Sequence, residues 1–201
     1  MGTEDFSGRL DSIIEEESQS FLERQPRSTE LLEIAKKHLV SGITSSWQGS
    51  DPQPIWIKEG KGSHVWDEDG LEFVDMHGGY GAGVAGHGHP AIVEAVSDRV
   101  RRGTHFASPV VDAIDVSTEL ARRFGLPLWR FGQSGTESTM DAVHLMKAAT
   151  GRPYFIKVEG SYHGHHDSVQ VSVYEDDPEL MGDPELPNST HEEGGIADAM
   201  L

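Results

Sequence analysis

Chemistry-bearing side chains concentrate in two stretches, Gly132-Gln133-Ser134-Gly135-Thr136-Glu137 and Gly160-Ser161-Tyr162-His163-Gly164-His165-His166-Asp167. The first leads into a helical pattern that carries Met140, Val143, Met146 and Lys147 to Gly151, so it opens a helix. A helix start leaves its first backbone N–H groups unpaired and partly positive, and an anion is their natural partner. Ser134 and Thr136 add hydroxyl donors, and Gly135 lets the backbone come close to a phosphate. The second stretch sets an aromatic ring, Tyr162, beside an imidazole, His163.

Strands are needed to bring the two stretches together. Leu128-Trp129-Arg130-Phe131 before the first and Tyr154-Phe155-Ile156-Lys157-Val158-Glu159 before the second have the composition for them, and with the helix between they make half of a βαβ unit. In open α/β sheets ligands sit at the carboxyl ends of the strands, so both stretches are expected at one pocket. Taken singly, Ser134 and Thr136 are ordinary helix caps and Tyr162 a half-buried core aromatic. Their combination on adjacent strand ends is what points to a pocket.

The rest of the chain reads as support. Residues up to about Gln25 form an acidic helical stretch, with Ser12 and Glu15 in capping-box spacing, read as a disordered or loosely docked extension. A second helix is expected from Ser28 to a C-cap at Gly42. Three strands follow as a meander: Ile55-Trp56-Ile57, His64-Val65-Trp66 and Glu72-Phe73-Val74-Asp75-Met76. Helices are then expected at Pro90 to Arg102, ending at Gly103, and from Ser108, with Pro109 as first residue, to Gly125. The segmentation is 1–27, 28–103, 104–173 and an acidic, proline-dotted loop or linker at 174–201.

Two other site chemistries have local support. Gly81, Gly83 and Gly86 form a G-x-G-x-x-G after a strand, the mark of a nucleotide-binding oxidoreductase, but His87-Gly88-His89-Pro90 intervenes before the next helix. A flexible turn near the mouth of the site fits better. His87, His89, His163, His165, His166 and Asp167 could ligate a metal, yet no helical histidine pair exists, and adjacent loop histidines point apart. No metal site is assigned, and His87 and His89 read as turn histidines.

Sixteen basic against thirty-four acidic residues give a net charge of −18, which disfavours nucleic acid and anionic membranes as partners. Cysteine is absent, which removes disulfides and thiolate chemistry. No apolar run approaches the roughly 20 residues of a membrane span, and the N-terminus lacks a signal peptide's regions, so a cytoplasmic protein is expected.

Ser134-Gly135-Thr136-Glu137, Thr150-Gly151-Arg152 and Glu159-Gly160-Ser161-Tyr162-His163-Gly164 resemble the first half of a class III pyridoxal-phosphate aminotransferase, nearest the glutamate-1-semialdehyde aminomutase branch. The resemblance runs from near Ser41 to about Val173 and takes in Val65 to Gly70, Phe73 to Asp75 and Gly86 to Pro90. It implies an α/β fold, the N-terminal part of a fold type I transferase: a small β-meander beside an incomplete, mostly parallel sheet flanked by helices. It implies that Ser134, Gly135 and Thr136 hold the phosphate of pyridoxal 5'-phosphate, that Tyr162 stacks on its pyridine ring and that His163 lies beside it. It also implies small-molecule amino donors and carbonyl acceptors and a homodimeric full-length parent.

Two departures stand out. Gln48 occupies the place of an arginine that, in the aminomutase branch, pairs with the substrate carboxylate, and a glutamine cannot supply a charged bidentate fork. The family's Schiff-base lysine and the carboxylate for the pyridine nitrogen fall on later strands, and the sequence given stops at Leu201. Lys147, on a helical pattern, and Lys157, inside an expected strand, lie in no matching motif. A truncated chain, inactive alone and with no catalytic residue of its own, is therefore expected; a non-catalytic remnant that binds phosphate, the cofactor or a full-length partner is the alternative.

Overall fold

In the computed structural model, which describes residues 3–173, 178–183 and 185–190, the polypeptide partitions into the units Met1–Ala107 and Ser108–Leu201. The first unit opens with α1 (Thr3–Arg24), the acidic helical stretch expected before Gln25. Its apolar side chains Leu10, Ile13 and Ile14 stay exposed, and its end is tied down at Gln25, a buried residue whose carbonyl accepts from the Gln53 amide at 3.3 Å.

Helix α2 (Pro26–Ala35) has proline in its first turn and no capping side chain of its own at Gln25. Its cap comes from the turn Asp67-Glu68-Asp69-Gly70. The Asp69 carboxylate accepts from the backbone N–H of Arg27 at 2.6 Å, the N–H of Ser28 at 3.0 Å and the Ser28 hydroxyl at 2.8 Å. Burial pushes this carboxyl up, but the bonds from Ser28 and Arg27 outweigh it and hold Asp69 below the usual carboxylate range. Asp67 shapes the turn, accepting from the N–H of Asp69 at 3.0 Å and of Leu71 at 2.7 Å. The helix stops at Ala35, short of the expected Gly42. Gly42, at φ 76°, instead lets the chain fold back onto Leu32, where a Cβ would lie 2.6 Å from the leucine Cδ1.

The meander forms as β1 (Ile57–Lys61), β2 (His64–Asp67) and β3 (Glu72–Val74), antiparallel in the order β1-β2-β3. The first strand starts two residues later than expected from alternation, because Trp56 uses its carbonyl to accept from the Glu68 N–H at 2.8 Å. The glycine run does not build a nucleotide turn. Gly78, Gly79, Tyr80, Gly81 and Gly86 all have positive φ, and the next helix, α3 (Pro90–Arg101), opens only after His89. His87 is a structural turn residue: its backbone exchanges two 2.8 Å bonds with Gly62, and its ring Nε2 meets the Asp75 carboxylate at 2.7 Å. The Gly78 N–H, His87 and the His77 N–H together hold Asp75 down to about 2.

The second unit holds α4 (Asp112–Phe124) and α5 (Gly135–Thr150), each closed by a left-handed glycine, Gly125 and Gly151. Helix α4 starts three residues later than expected at Pro109. Val110 and Val111 are β-branched, whereas Asp112 and Asp115 suit the positive end of the helix. The strands expected at Leu128–Phe131 and Tyr154–Glu159 do not pair. The sheets among the described residues are the meander and a two-residue ribbon, β4 (Gly182–Asp183) with β5 (Leu186–Pro187), after the short α6 (Pro178–Met181). Leu128 is 88% exposed, Tyr154 89% and Ile156 99%, so the apolar sides meant for a sheet face have no neighbour to cover them. Trp129 turns instead to the end of α4, its ring 5.7 Å from that of Phe124 and its indole N–H donating to the Leu126 carbonyl at 2.9 Å.

Within the expected acidic linker, residues 174–177, 184 and 191–201 lie outside the described residues. Among the described residues no helix is long and apolar enough to cross a membrane. The buried apolar side chains of the described residues are Val143, Val169 and Val173, all in the second unit.

Removing the remote cap should be measurable. Asp69→Ala is expected to lower stability by about 1–2 kcal/mol, the usual cost of an N-cap, read as a lower urea midpoint at unchanged slope. Because the folded pKa of Asp69 is lowered, its contribution is present above about pH 4 and is lost as pH falls through the folded value. An unchanged midpoint at neutral pH would contradict the assignment.

Candidate functional site

Helix α5 begins with a reciprocal cap. The Ser134 hydroxyl accepts from the Glu137 N–H at 3.2 Å, and the Glu137 carboxylate accepts from the Gln133 N–H at 2.6 Å. Ser138 N–H goes to the Ser134 carbonyl at 3.2 Å. Of the N–H groups that a helix start leaves without intrahelical partners, this cap takes up that of Glu137.

The loop that follows Glu159 is fastened to the same turn. His165 N–H donates to the Thr136 hydroxyl at 3.0 Å. Thr139, one turn further into α5, donates its hydroxyl to the His163 carbonyl at 2.6 Å, and His166 Nε2 lies 3.3 Å from the Thr139 Oγ1. Gly164, at φ 115°, sits where a Cβ would lie 2.7 Å from the Thr136 Cα. The structure thus brings Ser134, Gly135, Thr136 and the backbone of His163 into one neighbourhood; Tyr162, the residue before His163, is 46% exposed. Ser134 Oγ and Thr136 Oγ1 are each occupied as acceptors of a backbone N–H. A hydroxyl used in that way keeps its own proton to donate, so this turn retains two hydroxyl donors beside the helix N-terminus.

Electrostatics favour a neutral His166. Burial pushes its imidazole below the ordinary value, Asp167 opposes this and His144 adds to it. The other loop histidine, His165, shares a 3.0 Å contact between its Nδ1 and the Gln170 amide. With these rings tied to Thr139 and Gln170, the metal geometry weighed from the sequence is not assembled, and no group of three or more metal-ligating side chains occurs among the described residues.

Both lysines of this unit are engaged elsewhere. The Lys157 ammonium donates to the carbonyls of Ser161 at 2.9 Å, Val158 at 3.2 Å and Ser172 at 3.2 Å, which uses its three protons. It closes the base of the loop, where Gly160 N–H also reaches the Ser172 carbonyl at 3.0 Å. The Lys147 ammonium lies 5.6 Å from the centre of the Phe155 ring. Residues that sequence reasoning missed are Thr139 and Lys157 in this holding role. Thr139 carried no signal beyond its place three residues after Thr136; a contact to a residue 24 positions away is not a local pattern.

In the first unit, Gln48 belongs to a short loop whose amide oxygen accepts from the Thr44 hydroxyl at 2.6 Å and the Thr44 N–H at 3.2 Å. It borders a cleft of about 450 Å³ lined also by Ile43, Pro54, Ile55 and Trp56.

Comparison with known proteins bears on this geometry. The family model described as Aminotransferase class-III matches residues 45–182. A glutamate-1-semialdehyde 2,1-aminomutase from Bordetella avium is 38% identical over 73% of the chain and 35% of its own length, and one from Methanococcus maripaludis is 40% identical over 75% and 35%. Among solved structures, a glutamate-1-semialdehyde aminomutase from Pseudomonas aeruginosa superposes with a TM-score of 0.83 at 30% identity, covering 96% of this chain and 42% of that one. An omega-transaminase from Sphaerobacter thermophilus gives 0.80 at 34% identity over 86% and 39%. The chain spans about a third of the length of the curated relatives it matches.

The lowered His166 pKa makes the loop pH-sensitive. The folded state binds fewer protons than the unfolded one between the lowered value and the ordinary one of about 6.5, so stability rises with pH across that interval and is lost as pH falls through it. His166→Gln is expected to flatten this part of the profile, as followed by urea midpoints from pH 5 to 8. An unaltered slope would remove His166 as its source.

Proposed function

The chain belongs to the class III aminotransferase family, and on that footing we propose that it is the phosphate-gripping part of a pyridoxal-phosphate-dependent aminotransferase or aminomutase. The observation that carries the reading is the first turn of α5, where Ser134 and Thr136 each accept a backbone N–H and so keep a hydroxyl proton to give an anion beside the helix N-terminus. When bound, the cofactor supplies an electron sink for moving an amino group between an amino compound and a carbonyl compound. The protein's own residues orient it. The α5 turn takes the phosphate, Tyr162 lies along the ring and His163 beside it.

The residues present fit the phosphate and the ring, and they do not fit covalent attachment. Lys157 is held by three carbonyls and Lys147 lies against Phe155, so neither lysine of this unit is placed to attach the cofactor. That engagement also favours the second reading, in which this chain by itself is a non-catalytic binder of phosphate or of a full-length partner. The full reading includes small-molecule amino donors and carbonyl acceptors and a homodimeric, cytoplasmic parent. Gln48, a neutral amide pinned by Thr44, supports a general aminotransferase over an enzyme that must grip the carboxylate of glutamate semialdehyde.

Titration of the purified chain with pyridoxal phosphate, then borohydride reduction and mass analysis, tests this. We expect weak saturable binding competed by inorganic phosphate, no single reducible adduct and no transamination. Ser134→Ala combined with Thr136→Val should weaken binding at least tenfold, since each hydrogen bond to a charged group contributes about 1.5–3 kcal/mol. A stoichiometric adduct on Lys147 or Lys157, or measurable transamination, would overturn the inert-chain reading, and absence of any phosphate response would overturn the site.

A further inference from the structure

We infer that Thr139 is a positioning residue, one that fixes Tyr162 and His163 at a set distance from the phosphate-binding turn by latching their loop to α5. A helical threonine ordinarily returns its hydroxyl to a carbonyl of its own preceding turn. Those acceptors are near: the Gly135 carbonyl is 3.0 Å and the Thr136 carbonyl 3.1 Å from Thr139 Oγ1. The shortest contact, however, is the His163 carbonyl at 2.6 Å, and a hydroxyl has one proton to give. With that proton committed, the oxygen is left to accept from His166, whose Nε2 is 3.3 Å away. One hydroxyl therefore bridges two loop residues.

Two further constraints act on the same short segment. His165 N–H is fixed to Thr136 Oγ1, and between them Gly164 packs so closely on Thr136 that no larger residue fits without displacement. Residues 163–166 are thus held at each position by Thr136 and Thr139, within the first five residues of α5, and Thr136 is also one of the hydroxyls assigned to the anion. Tyr162 precedes this clamp directly. The spacing between a phosphate on the turn and a ring beside Tyr162 is then set by the clamp, since the segments before the two stretches pair with no strand among the described residues.

This inference rests on the cofactor reading given above, and its test separates the two. The 201-residue chain, Thr139→Val and Thr139→Ser are compared by amide exchange and by titration with inorganic phosphate and with pyridoxal phosphate. In the valine variant the His165 amide is expected to exchange at least tenfold faster. Affinity for inorganic phosphate should stay within twofold of the parent, while the preference for pyridoxal phosphate over inorganic phosphate falls about tenfold. The serine variant, which keeps the hydroxyl, should restore both. Equal losses for the two ligands would mean that Thr139 merely supports the helix, and an unchanged preference with unchanged exchange would also overturn the latch. If the parent chain binds inorganic phosphate but shows no preference for pyridoxal phosphate, the ring-positioning role fails while the phosphate site stands. A parent chain that binds neither overturns the cofactor reading itself, and the inference with it.

Discussion

A strand satisfies its backbone only through a neighbour, and that requirement governs which parts of this protein close and which stay open. In the meander, three short strands supply one another's partners, and the surrounding turns attach to them through His87, Asp75 and Asp69. In the second unit, Leu128–Phe131 and Tyr154–Glu159 have the composition of strands and no strand partner among the described residues. Leu128, Ile156 and Val158 remain largely in water, where each forgoes about 1.5–3 kcal/mol of burial. The helices that would flank a sheet are formed all the same, because a helix pairs its backbone within itself.

The site lies on the self-sufficient side of that division. Helix α5 needs only Ser134, Glu137 and Gly151 to define its ends, and the loop from Ser161 to Asp167 is anchored to it by hydroxyls. The two threonines and the serine act from opposite sides. Thr139 gives its proton away to hold the loop, whereas Ser134 and Thr136 accept from the backbone and so retain theirs. A single residue type thereby serves both as fastener and as donor, and the assignment depends on which neighbour reaches the oxygen.

Features encoded within a few residues were legible in the sequence. The α5 start, the Gly125 and Gly151 ends, the meander and the onset of α3 at Pro90 all follow from capping, alternation and proline chemistry. What was not legible depends on distant partners. Nothing near Pro26 announces that Asp69 will cap α2, and nothing near Thr139 announces the His163 carbonyl. Gly42 read as a helix terminator because a glycine after an apolar helical pattern usually is one, yet its use is close packing on Leu32. The two expected strands illustrate the converse. Their local composition was read correctly, but pairing is a property of neighbours and not of the segment itself.

The capping of α2 by Asp69 has a kinetic side. The carboxylate and the N–H groups it binds are separated by 41 and 42 positions, so the helix start is uncapped until the β2–β3 turn has been built and brought across. Closing a loop of that length costs entropy before the contact returns anything. A ten-residue helix is marginal in isolation. Helix α2 therefore gains its full stability only after the meander has formed, and the order of events in this unit runs from the hairpins to the helix, the reverse of what sequence proximity alone would suggest.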